Sequence, residues 1–351
     1  MVEVTYTRLE SFSNEILLDI FEYLDAYNLC QAFYGLNHRI NTLLRSVHLH
    51  FLCDSTMEDI DIWNKLPSCF SPTQIRTLSM NRTTIFNKQL LASDNPDLRS
   101  IHLHGVQSEH IQTILEHLSD DNQIKSLHFI DGQTCSDVKR RCICVPELLL
   151  VDHGHRFRSL IELSLSPGRR LRAFPDVSVT FSQLRRLSLK NCCWNPSFQH
   201  FLHNNAPHLR SLQVIGPGNI VDLPTEFRLE HVRELDINYP GHMVYLRHIL
   251  VRFPCLHRLH VHWEHNRRVS LIDGDFCRKL FEQHLPHLKQ FTFDFQQGIT
   301  ESMVSTFFTN EFWLEKKLKI TMLVNKIQSR HRLVKSISSG KQWRFQYFDH
   351  L

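Results

Sequence analysis

The 24 histidines and ten cysteines of this chain are the residue types from which zinc sites, proton shuttles and thiolate nucleophiles are made. Their spacing narrows what they can do. Cys135, Cys142, Cys144, His153 and His155 fall within 21 residues, but as Cys-x(6)-Cys and Cys-x-Cys. Structural zinc favours a Cys-x(2–4)-Cys knuckle, so a half-buried strand or helix fits this segment better than a metal centre. A metal-dependent enzyme built on it is the weakest of three readings. The other cysteines, at 30, 53, 69, 192, 193, 255 and 277, are too scattered for a disulfide framework and read as buried thiols. The sequence holds no Gly-x-Gly-x-x-Gly or Walker loop, no nucleophile elbow and no His-Glu-x-x-His. The expectation is a chain with no catalytic residue, no cofactor and no bound metal.

His-x-His pairs at His48/His50, His102/His104, His153/His155 and His260/His262 place both imidazoles on one face wherever the segment is a strand. What would position them is a repeat. The pattern apolar-x-x-apolar-x-apolar begins at Ile75, Leu98, Ile124, Leu160, Leu184, Leu209, Val232, Leu256 and Leu288, nine units in all. Six of the eight intervals lie between 23 and 26 residues, the period of a short strand plus a return segment. Pro96, Pro207, Pro254 and Pro286 precede four of the units and would end the preceding helix. Helical spacing fills several gaps: Ile111, Ile114, Leu115 and Leu118; Val244, Leu246, Ile249, Leu250 and Phe253; Phe276, Leu280, Phe281 and Leu285. The third, fifth and seventh residues of each unit then face outward. The candidate binding face drawn from them is His102, His104, His128, Arg186, Lys190, Glu234, Asp236, Arg258, His260 and His262, against the alternative of ordinary polar coating.

Residues 70–300 thus resemble the leucine-rich-repeat family, which implies a parallel α/β solenoid, a horseshoe whose strands line the concave side. The Asn that follows the strand in that family is mostly missing here. Asn191, after Leu184/Leu187/Leu189, stands near its place.

The first 50 residues do not follow the repeat. Ser13 is a plausible cap for a helix whose Ile16, Leu17, Ile20, Phe21 and Leu24 share a face. A second helix after Asp25 would carry Leu29, Ala32, Phe33 and Leu36, and a third from Asn37 would carry Ile40, Leu43, Leu44 and Val47. Three short helices cannot bury all these groups among themselves. The run from Leu9 through Phe12-Ser13-Asn14-Glu15-Ile16-Leu17-Leu18 and Ile20-Phe21-Glu22-Tyr23-Leu24 to Leu44 resembles the F-box motif, with Ser13 where that motif has proline. The resemblance implies docking on the Skp adaptor of a cullin-RING ubiquitin ligase through Leu9, Phe12, Ile16, Leu17, Ile20, Phe21, Leu24 and Leu29. The competing reading makes the same stripe internal core.

Charge and hydropathy exclude other classes. The net charge of +4 hides an N-terminal 50 residues with six acidic and three basic groups and a segment 315–351 with nine basic and two acidic ones. The basic segment reads as a solvated face rather than a nucleic-acid site. No stretch approaches the roughly 20 apolar residues that span a bilayer, and Met1–Val4 starts no secretory signal. An intracellular protein, cytoplasmic or nuclear, is expected. The organisation that results is a three-helix F-box at 1–50 (core 8–47), a connecting segment 51–73, leucine-rich repeats at 74–314 with an insertion at 133–156, and a basic cap or tail at 315–351. The function implied is that of a non-catalytic substrate-recognition subunit of a Skp-cullin-F-box ligase, with an unknown protein substrate and neither membrane nor nucleic acid as partner. The alternative is a repeat scaffold without ligase association.

Overall fold

Alternation of large apolar and polar residues at period two makes the repeat segments strands, each burying one face and exposing the other. The computed structural model describes residues 9–54, 69–81, 95, 97–106, 108–118, 122–131, 145–167, 171, 174–192, 194–216, 228–239, 243–263, 274–295, 319–325, 331–337 and 344–349. The chain is an α/β fold of parallel strands and helices, in two compact units, 1–160 and 161–351. The division falls inside the repeats rather than between the N-terminal helices and the repeats. No helix of the described residues is long and apolar enough to cross a membrane.

The first unit opens with a 3-10 turn, Leu9–Ser11, and three helices, α1 Asn14–Glu22, α2 Ala26–Phe33 and α3 His38–Leu44. Asp25 and Asn37 cap the second and third by accepting from the Asn28 and Ile40 amides, at 2.9 and 2.8 Å. Gly35, at φ +82°, supplies the left-handed turn that ends α2. Leu36 therefore lies beyond the helix and is exposed, as is Ala32, so the apolar face expected for the second helix is shorter than its spacing suggested. The Arg39 guanidinium pins the chain ahead of α1, donating to Asn14 Oδ1, the Glu10 carbonyl and the Phe12 carbonyl. Buried Gln74 donates through Nε2 to the carbonyls of Leu44 and Val47, at 2.9 and 3.0 Å, tying the end of α3 to the first repeat. Cys30 Sγ and Cys69 Sγ also meet, 2.8 Å apart.

Four parallel strands follow: β1 Leu49–Asp54, β2 Ile75–Asn81, β3 Ser100–His104 and β4 Ser126–Ile130. β1 is a strand where the sequence suggests the end of the helical region and a connecting segment; Leu49 and Phe51, both buried, carry the alternation there. Helix α4, Ser108–His117, links β3 to β4 and buries Ile111, Ile114 and Leu115. At the end of the expected insertion and one residue beyond it, 148–152 and 154–157 form helical turns with Leu148, Leu149, Leu150 and Phe157 buried.

In the second unit β5 Glu162–Ser166, β6 Arg186–Lys190, β7 Ser211–Ile215, β8 Glu234–Tyr239, β9 Arg258–Trp263 and β10 Gln290–Phe295 run parallel in sequential order. Helices α5 Pro196–Asn204, α6 Met243–Leu250 and α7 Gly274–His284 return the chain between them. One hydrogen-bond device repeats at each step: the carbonyl before a strand accepts two amides from the next unit. Ile161 O receives Arg185 and Arg186, Arg185 O receives Arg210 and Ser211, Arg210 O receives Arg233 and Glu234, and Arg233 O receives His257 and Arg258. That constancy holds the strands in register. The buried face carries Leu163, Leu187, Leu212, Leu235, Leu259 and Phe291 in line, and Phe281 of α7 meets Phe291 edge to face at 4.8 Å. Asn191, the one described non-glycine at positive φ (54°), follows β6 and donates through Nδ2 to the Pro167 carbonyl at 2.9 Å. The same position after β3 is Gly105, also at positive φ.

Residues 319–325, 331–337 and 344–349 form three more strands, β11, β12 and β13. β11 pairs parallel with β10, and β12 and β13 continue antiparallel. The basic segment thus extends the sheet of its unit.

Candidate functional site

Six parallel strands in constant register turn their third and fifth residues to the exposed face of the second unit, where the side chains form two rows. The first row begins with Glu162 and Arg186, paired at 2.6 Å, and continues to Glu234 and Arg258, paired at 3.0 Å. All four are partly solvated, so each pair adds about 0–1 kcal/mol and serves mainly to fix where charge is presented. The second row is more connected. Ser188 Oγ donates to Gln213 Oε1 at 2.5 Å, Gln213 Nε2 donates to Asp236 Oδ2 at 2.8 Å, and Asp236 Oδ1 faces His262 Nε2 at 3.1 Å and His260 Nδ1 at 3.6 Å. The His260 and His262 rings lie 3.9 Å apart. Burial pushes the Asp236 carboxyl up, but the two imidazoles and the Gln213 amide outweigh it and hold the group well below the usual carboxylate range. Between the rows lies an open cleft of about 350 Å³, bordered by Arg186, Glu234, Asp236, Arg258 and His260.

The structure therefore brings Arg186, Glu234, Asp236, Arg258, His260 and His262 together, with Lys190 exposed at the end of β6 on the same face. Glu162, Ser188 and Gln213 join them. Gln213 stands at the fifth position of its unit, on the outward face that the repeat assigns it, and its alignment one period from both Ser188 and Asp236 makes the bridge.

His102, His104 and His128 belong to the first unit. His102 and His128 are register partners whose rings stack at 4.4 Å, and each Nε2 lies against a serine hydroxyl two residues earlier, Ser100 at 2.7 Å and Ser126 at 2.8 Å. His153 is half-buried and His155 exposed, while Cys135, Cys142 and Cys144 lie outside the described residues.

The expected adaptor contacts divide. Leu17, Phe21 and Leu29 are fully buried, and Phe21 packs on Phe33 with ring centres 4.9 Å apart. These three are core. Ile16 is exposed at 46%, and Leu9, Phe12, Ile20 and Leu24 are half-buried. Tyr23, Tyr34 and Leu36 add exposed apolar surface on the same helices or their ends. No protein-family model matches the chain, and no curated protein does.

Proposed function

We propose that this chain is the substrate-recognition subunit of a Skp-cullin-F-box ubiquitin ligase: the N-terminal helices are an F-box that docks on the Skp adaptor, and the following units are a leucine-rich-repeat horseshoe that holds a protein target. The observation that carries the reading is the apolar surface left on three short helices, with Ile16, Tyr23, Tyr34 and Leu36 exposed beside half-buried Phe12, Ile20 and Leu24. The rows of paired charges and amides on the strand face of the second unit support a target of mixed polar surface, since they offer donors and acceptors at fixed spacing. The chain performs no bond chemistry in this reading; it raises the local concentration of target lysines at the ubiquitin-carrying enzyme.

A second reading, a repeat scaffold with no ligase, is favoured by the total burial of Leu17, Phe21 and Leu29 and by the Gln74 tie between α3 and the first repeat. Co-purification with the Skp adaptor decides between them. The intact chain should bind, and Ile16→Asp together with Ile20→Asp, placed outside the core, should abolish binding while the circular dichroism spectrum is unchanged. A folded native chain that leaves the adaptor unbound selects the scaffold.

A further inference from the structure

We propose that Asp236, His260 and His262 form a binding site for one divalent transition-metal cation of the zinc class. β8 and β9 pair Asp236 with His260 and Asn238 with His262, so the carboxylate and both imidazoles share one face of adjacent strands. Their donor atoms all lie within 4.8 Å of one another. Donors about 2.0–2.2 Å from a tetrahedral zinc stand roughly 3.3–3.6 Å apart. The two separations from Asp236 Oδ1, 3.1 and 3.6 Å, bracket that range.

Two further facts point to a ligand. Asp236 Oδ1 is a buried atom with no hydrogen-bond partner among the described residues, and the nearest imidazole nitrogens, His262 Nε2 and His260 Nδ1, stand 3.1 and 3.6 Å from it. Buried polar atoms are rarely left so, and a cation among them would satisfy the oxygen. The second oxygen, Oδ2, is already committed to Gln213, which is in turn held by Ser188. A carboxylate oriented by an outer hydrogen-bonded layer is how metal ligands are ordinarily fixed.

Two imidazoles and one carboxylate suit zinc, copper, nickel or iron(II) rather than calcium or magnesium, which take oxygen ligands. Three protein ligands beside an open cleft leave a coordination position for water or for a donor from a bound protein.

Calorimetric titration of the chelator-stripped full chain with Zn²⁺, and visible spectroscopy with Co²⁺, tests the site. One equivalent should bind saturably; Asp236→Asn and His262→Ala should each weaken it more than 10-fold, Gln213→Leu about 10-fold as an outer-layer change, and His102→Ala not at all. X-ray absorption of the zinc-loaded native chain should show two imidazoles with oxygen and no sulfur, a reading that does not depend on any variant folding. Absence of one-equivalent binding, unchanged affinity in a folded His262→Ala variant, or thiolate sulfur in the shell would each overturn the proposal.

Discussion

The His-x-His pair occurs on a strand in both units, and its neighbours make two different objects of it. In the first unit His102 of β3 stands in register with Ser79 on one side and His128 on the other, and His104 with Asn81 and Ile130. None of these is an acid. The outcome is a stack of imidazoles braced by Ser100 and Ser126. In the second unit His260 stands beside Asp236, and the outcome is a carboxylate with two imidazoles turned on it. The lesson is that in a parallel array the chemistry of a side chain is set by the residue one period away.

The two units can be separated most forcefully through their cores. Phe21 in the first and Phe281 in the second are 0% and 4% exposed, each packed on another ring. Truncation to Ala should cost about 3–5 kcal/mol in either case. Because Phe21 and Phe281 lie in different compact units, hydrogen exchange followed by mass spectrometry should show Phe21→Ala accelerating exchange in residues of the first unit and Phe281→Ala in those of the second. Equal acceleration everywhere by either variant would mean one cooperative unit.

Each unit also has a buried amide that closes off loose carbonyls. Gln74 serves Leu44 and Val47; Asn205 serves Val177 and Val179, at 2.6 and 2.9 Å. Gln74→Ala and Asn205→Ala leave two carbonyls each without a donor, and should destabilise by about 1–3 kcal/mol, measured by urea denaturation. A smaller loss at Gln74 would indicate that water replaces the amide between α3 and the first repeat.

The comparison of the histidine pairs can itself be reversed. Ser79 occupies toward His102 the place that Asp236 occupies toward His260, one strand earlier and in register. Ser79→Asp should raise the midpoint of His102, followed by NMR titration, by about one unit, because an opposite charge at cross-strand distance favours the imidazolium. No change would show that the serine-braced stack, rather than the missing acid, sets the behaviour of the first pair.

Much of this was open to reading in the sequence. The nine repeat starts predict the nine strands β2–β10, and the alternation around them predicts which residues are buried. The helix caps are less legible: Ser13, the expected cap, stands at the N-cap position of α1 without a side-chain cap hydrogen bond, while Asp25 and Asn37 cap α2 and α3. What stayed hidden has physical causes. β1 lacks the apolar start of the other units: Ser46 and His48 stand three residues before its buried Leu49 and Phe51. The three strands after residue 318 follow no repeat. Burial of Leu17, Phe21 and Leu29 could not be told from partner contact, since both need the same apolar stripe. The Asp236 cluster was latent: the unit starts Val232 and Leu256 put Asp236 and His260 at the same position of successive repeats, yet neither residue is near the other in sequence, so a search for local ligand spacing passes over it and finds residues 135–155 instead.

Acid should act on both units through one histidine each. His153 in the first and His284 in the second have their midpoints lowered, by burial first and by Arg156 and Arg247 respectively second. His153 Nδ1 and His284 Nε2 are buried atoms without a hydrogen-bond partner among the described residues, so protonation finds no acceptor there. With a folded midpoint below the unfolded value of about 6.5, neither histidine affects stability above that pH. As pH falls below it the unfolded chain takes up protons that the folded chain refuses, and stability declines until the folded midpoint is passed. The urea midpoint should therefore drop between pH 7.5 and 5.5, and His153→Gln and His284→Gln should each flatten part of that slope. If the slope survives both substitutions, the acid sensitivity lies in groups other than this pair.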